Sequence, residues 1–98
     1  MADNAARRGE WFEIILANPR RGATDAPRRV TEASVSFETQ TGAPAGGPFP
    51  AVADPDVEGW AALCPPREEA AGTTLVSVER VTVGGIVYES RGTLRVVA

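Results

Sequence analysis

Residues 79–92, ERVTVGGIVYESRG, carry the strongest conformational signal in this chain of 98 residues. Two alternating apolar runs flank Gly84-Gly85. Both glycines can take positive φ without a Cβ clash, which a two-residue primed hairpin turn demands. Counting away from that turn sets Val83 against Ile86, Thr82 against Val87, Val81 against Tyr88 and Arg80 against Glu89. Val81, Val83, Ile86 and Tyr88 then share one apolar face, and Arg80 meets Glu89 on the other as an ion pair. A slip of one residue would undo both arrangements, so the register is well specified. Residues 75–78 lengthen the first arm. After the second arm Gly92 is expected to bend or bulge the chain. One more short strand, TLRVV at 93–97, then ties into a sheet or a neighbouring subunit, because a bare apolar edge strand invites aggregation.

Three more strands stand upstream. Residues 57–64, VEGWAALC, form an apolar run stopped by Pro65-Pro66. Residues 30–39, VTEASVSFET, alternate, with Ala33, Val35 and Phe37 on one face and Glu32, Ser34, Ser36 and Glu38 on the other. Residues 10–16, EWFEIIL, are aromatic and β-branched and are closed by Asn18-Pro19, which favours a strand over a helical turn. Between these runs lie a loop at 17–29, containing NPRRGATDAPRR, and a second at 40–56, QTGAPAGGPFPAVADPD. Proline lacks the ladder donor and glycine raises backbone entropy, so both read as long Pro/Gly-rich loops. Residues 1–9 hold nothing apolar and large enough to offset the entropy of ordering, and are expected to be a disordered N-terminal arm. The expected architecture is all-β: one domain at 10–98, a small β-barrel or sandwich with long loops and a C-terminal β-hairpin. Its core is thin, with Trp11 and Trp60 expected inside it.

Composition excludes more than it assigns. All ten basic residues are arginine, and histidine is absent. The commonest general base near neutral pH and the commonest transition-metal ligand are therefore missing. The only cysteine, Cys64, has no partner for a disulfide or a metal site and no histidine to activate it; it reads as a small buried apolar residue in a reducing compartment. Asp54, Asp56 and Glu58 read as solvated acids. No catalytic residue, metal ligand or cofactor site is expected, and the chain is not expected to be an enzyme. No apolar run is long enough for a membrane span, and MADNAARRGEW does not read as a secretory signal.

Charge is uneven. Residues 1–29 hold six arginines against four acids, whereas 30–98 hold four arginines against nine acids. Such a distribution suits head-to-tail contact between subunits as well as contact with nucleic acid. Arg20-Arg21 and Arg28-Arg29 bracket one loop. They read either as a solvated loop or, because arginine forks fit carboxylates, as contacts to an acidic protein surface, with phosphate as a third reading. Phe49, between two prolines, either folds back on the core or fills a partner's pocket. Arg20, Arg21, Arg28, Arg29 and Phe49 are thus the candidate interface residues, with Gly84 and Gly85 as the structural turn.

The run ERVTVGGIVYESRG resembles a segment of bacteriophage head-completion proteins, the stopper-type head–tail connectors. Glu79, Arg80, Val81, Val83, Gly85, Tyr88, Glu89 and Gly92 stand at matching places. The resemblance implies a small β-barrel with long loops, assembled as an oligomeric ring between head or portal and tail and helping to retain packaged DNA. It implies portal, adaptor and tail subunits as partners, non-specific proximity to DNA, and a place in the virion after assembly in the host cytoplasm. A capsid decoration or other virion surface protein, and a small cytoplasmic protein-binding domain, are the alternatives the same sequence features allow.

Overall fold

The computed structural model describes residues 3–17, 30–54 and 59–98. All regular structure in them is β: β1 (Asp3–Arg7), β2 (Phe12–Ala17), β3 (Val30–Glu38), β4 (Phe49–Asp54), β5 (Gly59–Cys64), β6 (Thr74–Val83) and β7 (Ile86–Val97). The strands form one sheet in the order β1-β7-β6-β3-β4-β5-β2. The sheet curls until its two edges, β1 and β2, approach one another, so that it is nearly closed into a barrel. Closure turns one face of every strand inward, and alternation along each strand decides what fills the interior. Ala33, Val35 and Phe37 of β3 point in, as do Ile14 and Leu16 of β2, Ala62 and Cys64 of β5 and Leu75 and Leu94 of β6 and β7. Phe37 is the largest fully buried side chain, its ring tilted against Phe12 at 6.0 Å and Phe49 at 6.1 Å between centroids.

The hairpin has the counted register: Val83 pairs with Ile86, Thr82 with Val87, Val81 with Tyr88 and Arg80 with Glu89. Gly84 and Gly85 take φ of 58° and 78° at the turn. Arg80 and Glu89 approach to 3.0 Å with both side chains about two-fifths exposed, an ion pair worth about 0.2–1 kcal/mol. The ladder does not stop at Gly92, which pairs with Ser77 in a single strand running from Ile86 to Val97. The separate final strand and the bend expected before it are therefore one continuous β7. A glycine that keeps extended geometry costs a strand some stability but does not break it.

Three further expectations are corrected. The supposed disordered arm at 1–9 contains β1, which runs parallel to the end of β7 from Asp3↔Thr93 to Arg7↔Val97. Backbone pairing, the burial of Ala6 and a 2.8 Å hydrogen bond from the Thr93 hydroxyl to the Asp3 carboxylate hold it, rather than bulky side chains. The loop expected at 40–56 ends at residue 48, because Phe49 opens β4. Residues 39–46 fold back on β3, with Ala45 N–H donating to Phe37 C=O at 2.8 Å and Phe37 N–H to Gly46 C=O at 2.9 Å. β4 turns a corner: Phe49 and Pro50 pair with β3, and the strand then pairs with β5 from Ala51 to Asp54. Proline is tolerated at such a hand-over. Trp11 is 62% exposed, outside the core it was expected to fill, while Trp60 is partly buried against that core.

Topology sorts the connections. The Gly84-Gly85 turn, the end of β2, the start of β3, the end of β4 and the start of β5 all lie at one end of the barrel. The turn at 8–11, the connections 39–48 and 65–73 and residue 98 lie at the other.

Candidate functional site

The four candidate arginines, Arg20, Arg21, Arg28 and Arg29, lie outside the described residues, as do Asp56 and Glu58. Phe49 is described, and of its two readings the first holds: its ring folds back, partly buried, against Phe37. Cys64 is fully buried, and burial pushes its thiol up to about 11, with nearby Arg67 opposing the shift. The thiol is therefore held protonated and out of reach of solvent.

Polar groups cluster beside Phe37. The Arg67 guanidinium lies 5.4 Å from the centre of that ring, and its Nε donates to Glu69 Oε1 at 3.0 Å while Nη2 donates to Oε2. Those bonds hold the Glu69 carboxyl below the usual carboxylate range. The cluster borders an open groove that Glu69 lines with Thr39, Gln40, Gly72, Thr73 and Leu75. Among the described residues no three His, Cys, Asp or Glu side chains come together as a metal site.

Glu79 is different. It stands in register with Val35 on one side and Ser90 on the other, on the inward-facing row of β6. Ser90 donates to Oε2 at 3.2 Å, whereas buried Oε1 has no hydrogen-bond partner. Desolvation raises its carboxyl above the ordinary value, and the Ser90 bond opposes this in part. The folded state therefore holds this proton more tightly than the unfolded chain does. Glu79 supports stability below the unfolded value and becomes a cost as pH climbs through the raised folded value. Glu79→Gln keeps the Ser90 partner and removes the charge. It is expected to raise Tm at pH 7 by on the order of a few degrees and to change it little at pH 4. Thermal melts followed by circular dichroism across that range check this; a Tm difference independent of pH contradicts it.

What the exterior offers is two apolar surfaces. The first is the hairpin. β1 covers β7 only from Thr93 onward, so Ile86 to Gly92 have β6 on one side and, among the described residues, no strand on the other. By the alternation of an antiparallel ladder, Val87, Glu89 and Arg91 aim their free backbone groups at that open edge. Ile86 and Val87 are each 58% exposed, and Tyr88 is also exposed. Ile86 and Tyr88 continue the inward row of Val81 and Val83, as the sequence implies, and remain exposed there.

The second surface lies on the outside of β2, β5 and β4. Ile15, Ala61 and Val52 form one row across the three strands, and Leu63 stands two residues along β5 on the same face. Val52 is 67% exposed, and Ile15 and Leu63 are exposed as well. In a seven-stranded barrel of this order, β5 lies across from the β6–β7 pair, so the two surfaces are on opposite walls. The strands that carry them differ in net charge, although Arg80, Arg91 and Arg95 stand on the opposite face from Ile86 and Tyr88. β6 and β7 carry Arg80, Arg91 and Arg95 against Glu79 and Glu89, for +1; β2, β4 and β5 carry Glu13 and Asp54 and no base, for −2.

Sequence reasoning found the hairpin and missed the second surface. The signal was present: in a strand, Ile15 must face away from Ile14 and Leu16. No protein-family model, curated protein or solved structure matches this chain.

Proposed function

We propose that this chain is a structural virion protein, one subunit of an oligomeric ring that joins phage head or portal to tail and helps to retain packaged DNA. The observation that carries this reading is the placement of two exposed apolar surfaces on opposite walls of one small barrel. A molecule with two different sticky faces can associate head to tail, and where the rotation between copies closes, such contacts make a ring. The hairpin segment 79–92 and its resemblance to head–tail connector subunits supply the virion context, and the small β-barrel is the fold that resemblance implies. In this reading the chain has a scaffolding role and no catalytic one. Its partners are copies of itself, with portal, adaptor and tail subunits above and below, and its arginine-rich segment 18–29 meets acidic protein surface.

Native mass spectrometry and negative-stain electron microscopy of the purified protein test this. A closed ring with a single subunit number is expected. A discrete trimer would favour a capsid decoration protein, and a monomer or dimer at millimolar concentration would favour a protein-binding domain; either overturns the ring.

A further inference from the structure

We infer that the barrel has an internal binding site for one water molecule, in the place that a side chain at position 92 would fill. Asn4 of β1 and Ser77 and Glu79 of β6 are its hydrogen-bond partners. The water fastens β1 to the rest of the sheet, and it does so whether or not the protein forms a ring.

Register gathers the three residues around one point. Ser77 and Glu79 are successive members of the inward row of β6, between Leu75 and Val81. Their neighbours on β3 are Phe37 and Val35, so that side is apolar. Their neighbours on β7 are Gly92 and Ser90. Asn4 pairs with Leu94, one inward position along β7 from Gly92, and shares the inward row of β1 with buried Ala6. Gly92 is itself buried and puts no side chain between Ser77 and Asn4. Adjacent strands lie about 4.8 Å apart, so β1 and β6 stand about 10 Å apart across β7. Two short polar side chains over a glycine leave a span that one water crosses with bonds of about 2.8 Å.

The atoms that face this point are orphans of complementary kinds. Ser77 is 0% exposed and its Oγ has no hydrogen-bond partner; Asn4 Nδ2 and Glu79 Oε1 are also buried without one. Among the described residues these three are the buried side-chain nitrogen and oxygen atoms in that condition. Protein interiors satisfy such groups with protein or with ordered water, because leaving them bare is costly. The Asn4 amide donates, the Glu79 carboxylate accepts, and the Ser77 hydroxyl does either. A water that accepts from Asn4, donates to Glu79 and bonds Ser77 satisfies all three, and three bonds is the usual number for a buried water. Ser90 occupies the other carboxylate oxygen at 3.2 Å and leaves Oε1 for the water. A bare cation fits poorly, since Asn4 turns a donor toward it and Glu79 is the single carboxylate of the set.

Ser77→Ala tests the site. Deleting a buried hydroxyl that bonds nothing relieves a desolvation cost and raises Tm, whereas deleting one of three partners of a bound water lowers it. A fall on the order of 5 °C is expected. Gly92→Ala is the companion variant. Gly92 is outside the positive-φ region, so the strand accepts alanine there, but the added methyl takes the water's place. Its Tm is expected to fall by a similar amount, although alanine ordinarily improves on glycine inside a strand. NOESY and ROESY spectra of the wild-type protein are expected to show cross-peaks between the Asn4 side-chain amide protons and a long-lived water, lost in Gly92→Ala. Should that variant fail to fold, Ser77→Ala carries the same readout, with the cross-peaks weakened. A higher Tm for Ser77→Ala, or the lack of a long-lived water at Asn4 in the wild type, overturns the assignment. So does a Tm that climbs when sodium or potassium replaces choline at constant ionic strength, which would put a cation in the site.

Discussion

Phe37→Ala is expected to remove a large fraction of the protein's folding stability. The ring is 1% exposed and is the largest fully buried side chain in the barrel. It is held between Phe12 and Phe49 and covered by the Arg67 guanidinium. Truncating a buried Phe costs about 3–5 kcal/mol, from lost burial and from the cavity left behind. A domain of this size has only about 5–15 kcal/mol to lose. Relaxation cannot fill the hole cheaply, because the neighbours inside are mostly alanine, valine and cysteine whose positions are set by strand register. Arg67 also loses the ring beneath its charge. Urea unfolding monitored by tryptophan fluorescence measures the effect. Phe37→Leu, which keeps most of the volume, should retain a cooperative transition at a lower midpoint. A loss under about 1 kcal/mol for the alanine variant would mean the barrel centre is elsewhere.

Gly47→Ala should be nearly as damaging, for a backbone reason. Gly47 has φ of +92°, and a Cβ there would meet Ser36 Cα at 2.8 Å and Val35 C=O at 2.9 Å. Those atoms belong to the middle of β3, which is paired on both sides and cannot retreat. The expected cost is about 2–4 kcal/mol, the torsional penalty adding to a clash with main chain. Gly42→Ala provides the internal control. Its φ is also +92°, but a Cβ there meets nothing within 4 Å. It should cost only about 1 kcal/mol, the torsional part alone. Denaturation midpoints of the two variants, measured side by side, separate the clash from the torsion. Equal midpoints would show that residues 43–47 do not lie against β3.

The parts of this fold that were legible in sequence are those in which side chains specify the strand. β3 announces itself because Ala33, Val35 and Phe37 alternate with polar residues, and the hairpin because Gly84-Gly85 fixes its register. β1 was illegible for the opposite reason. DNAAR has no apolar pattern, and it becomes a strand only because β7 offers it an open edge. β4 was hidden by its prolines, which ordinarily mark a loop and here occupy the entry and corner of a strand. The candidate surfaces divide in the same way. The turn and the apolar row of the hairpin could be counted from the sequence, but the exposure of Ile86 could not, because it depends on what the tertiary fold places opposite it. The exposure of Ile15 went unread because EWFEIIL was taken as one apolar run and not divided into two faces.

The pairing of β1 with β7 also bears on the order of events at the ribosome. The Asp3 and Thr93 side chains that meet there are 90 residues apart in the chain. The earliest strand to emerge can find its ladder only when the latest has been made, and closing so wide a loop is entropically costly. Until then the barrel cannot complete its seam. The strand that comes first along the chain is thus the last to find its place in the sheet.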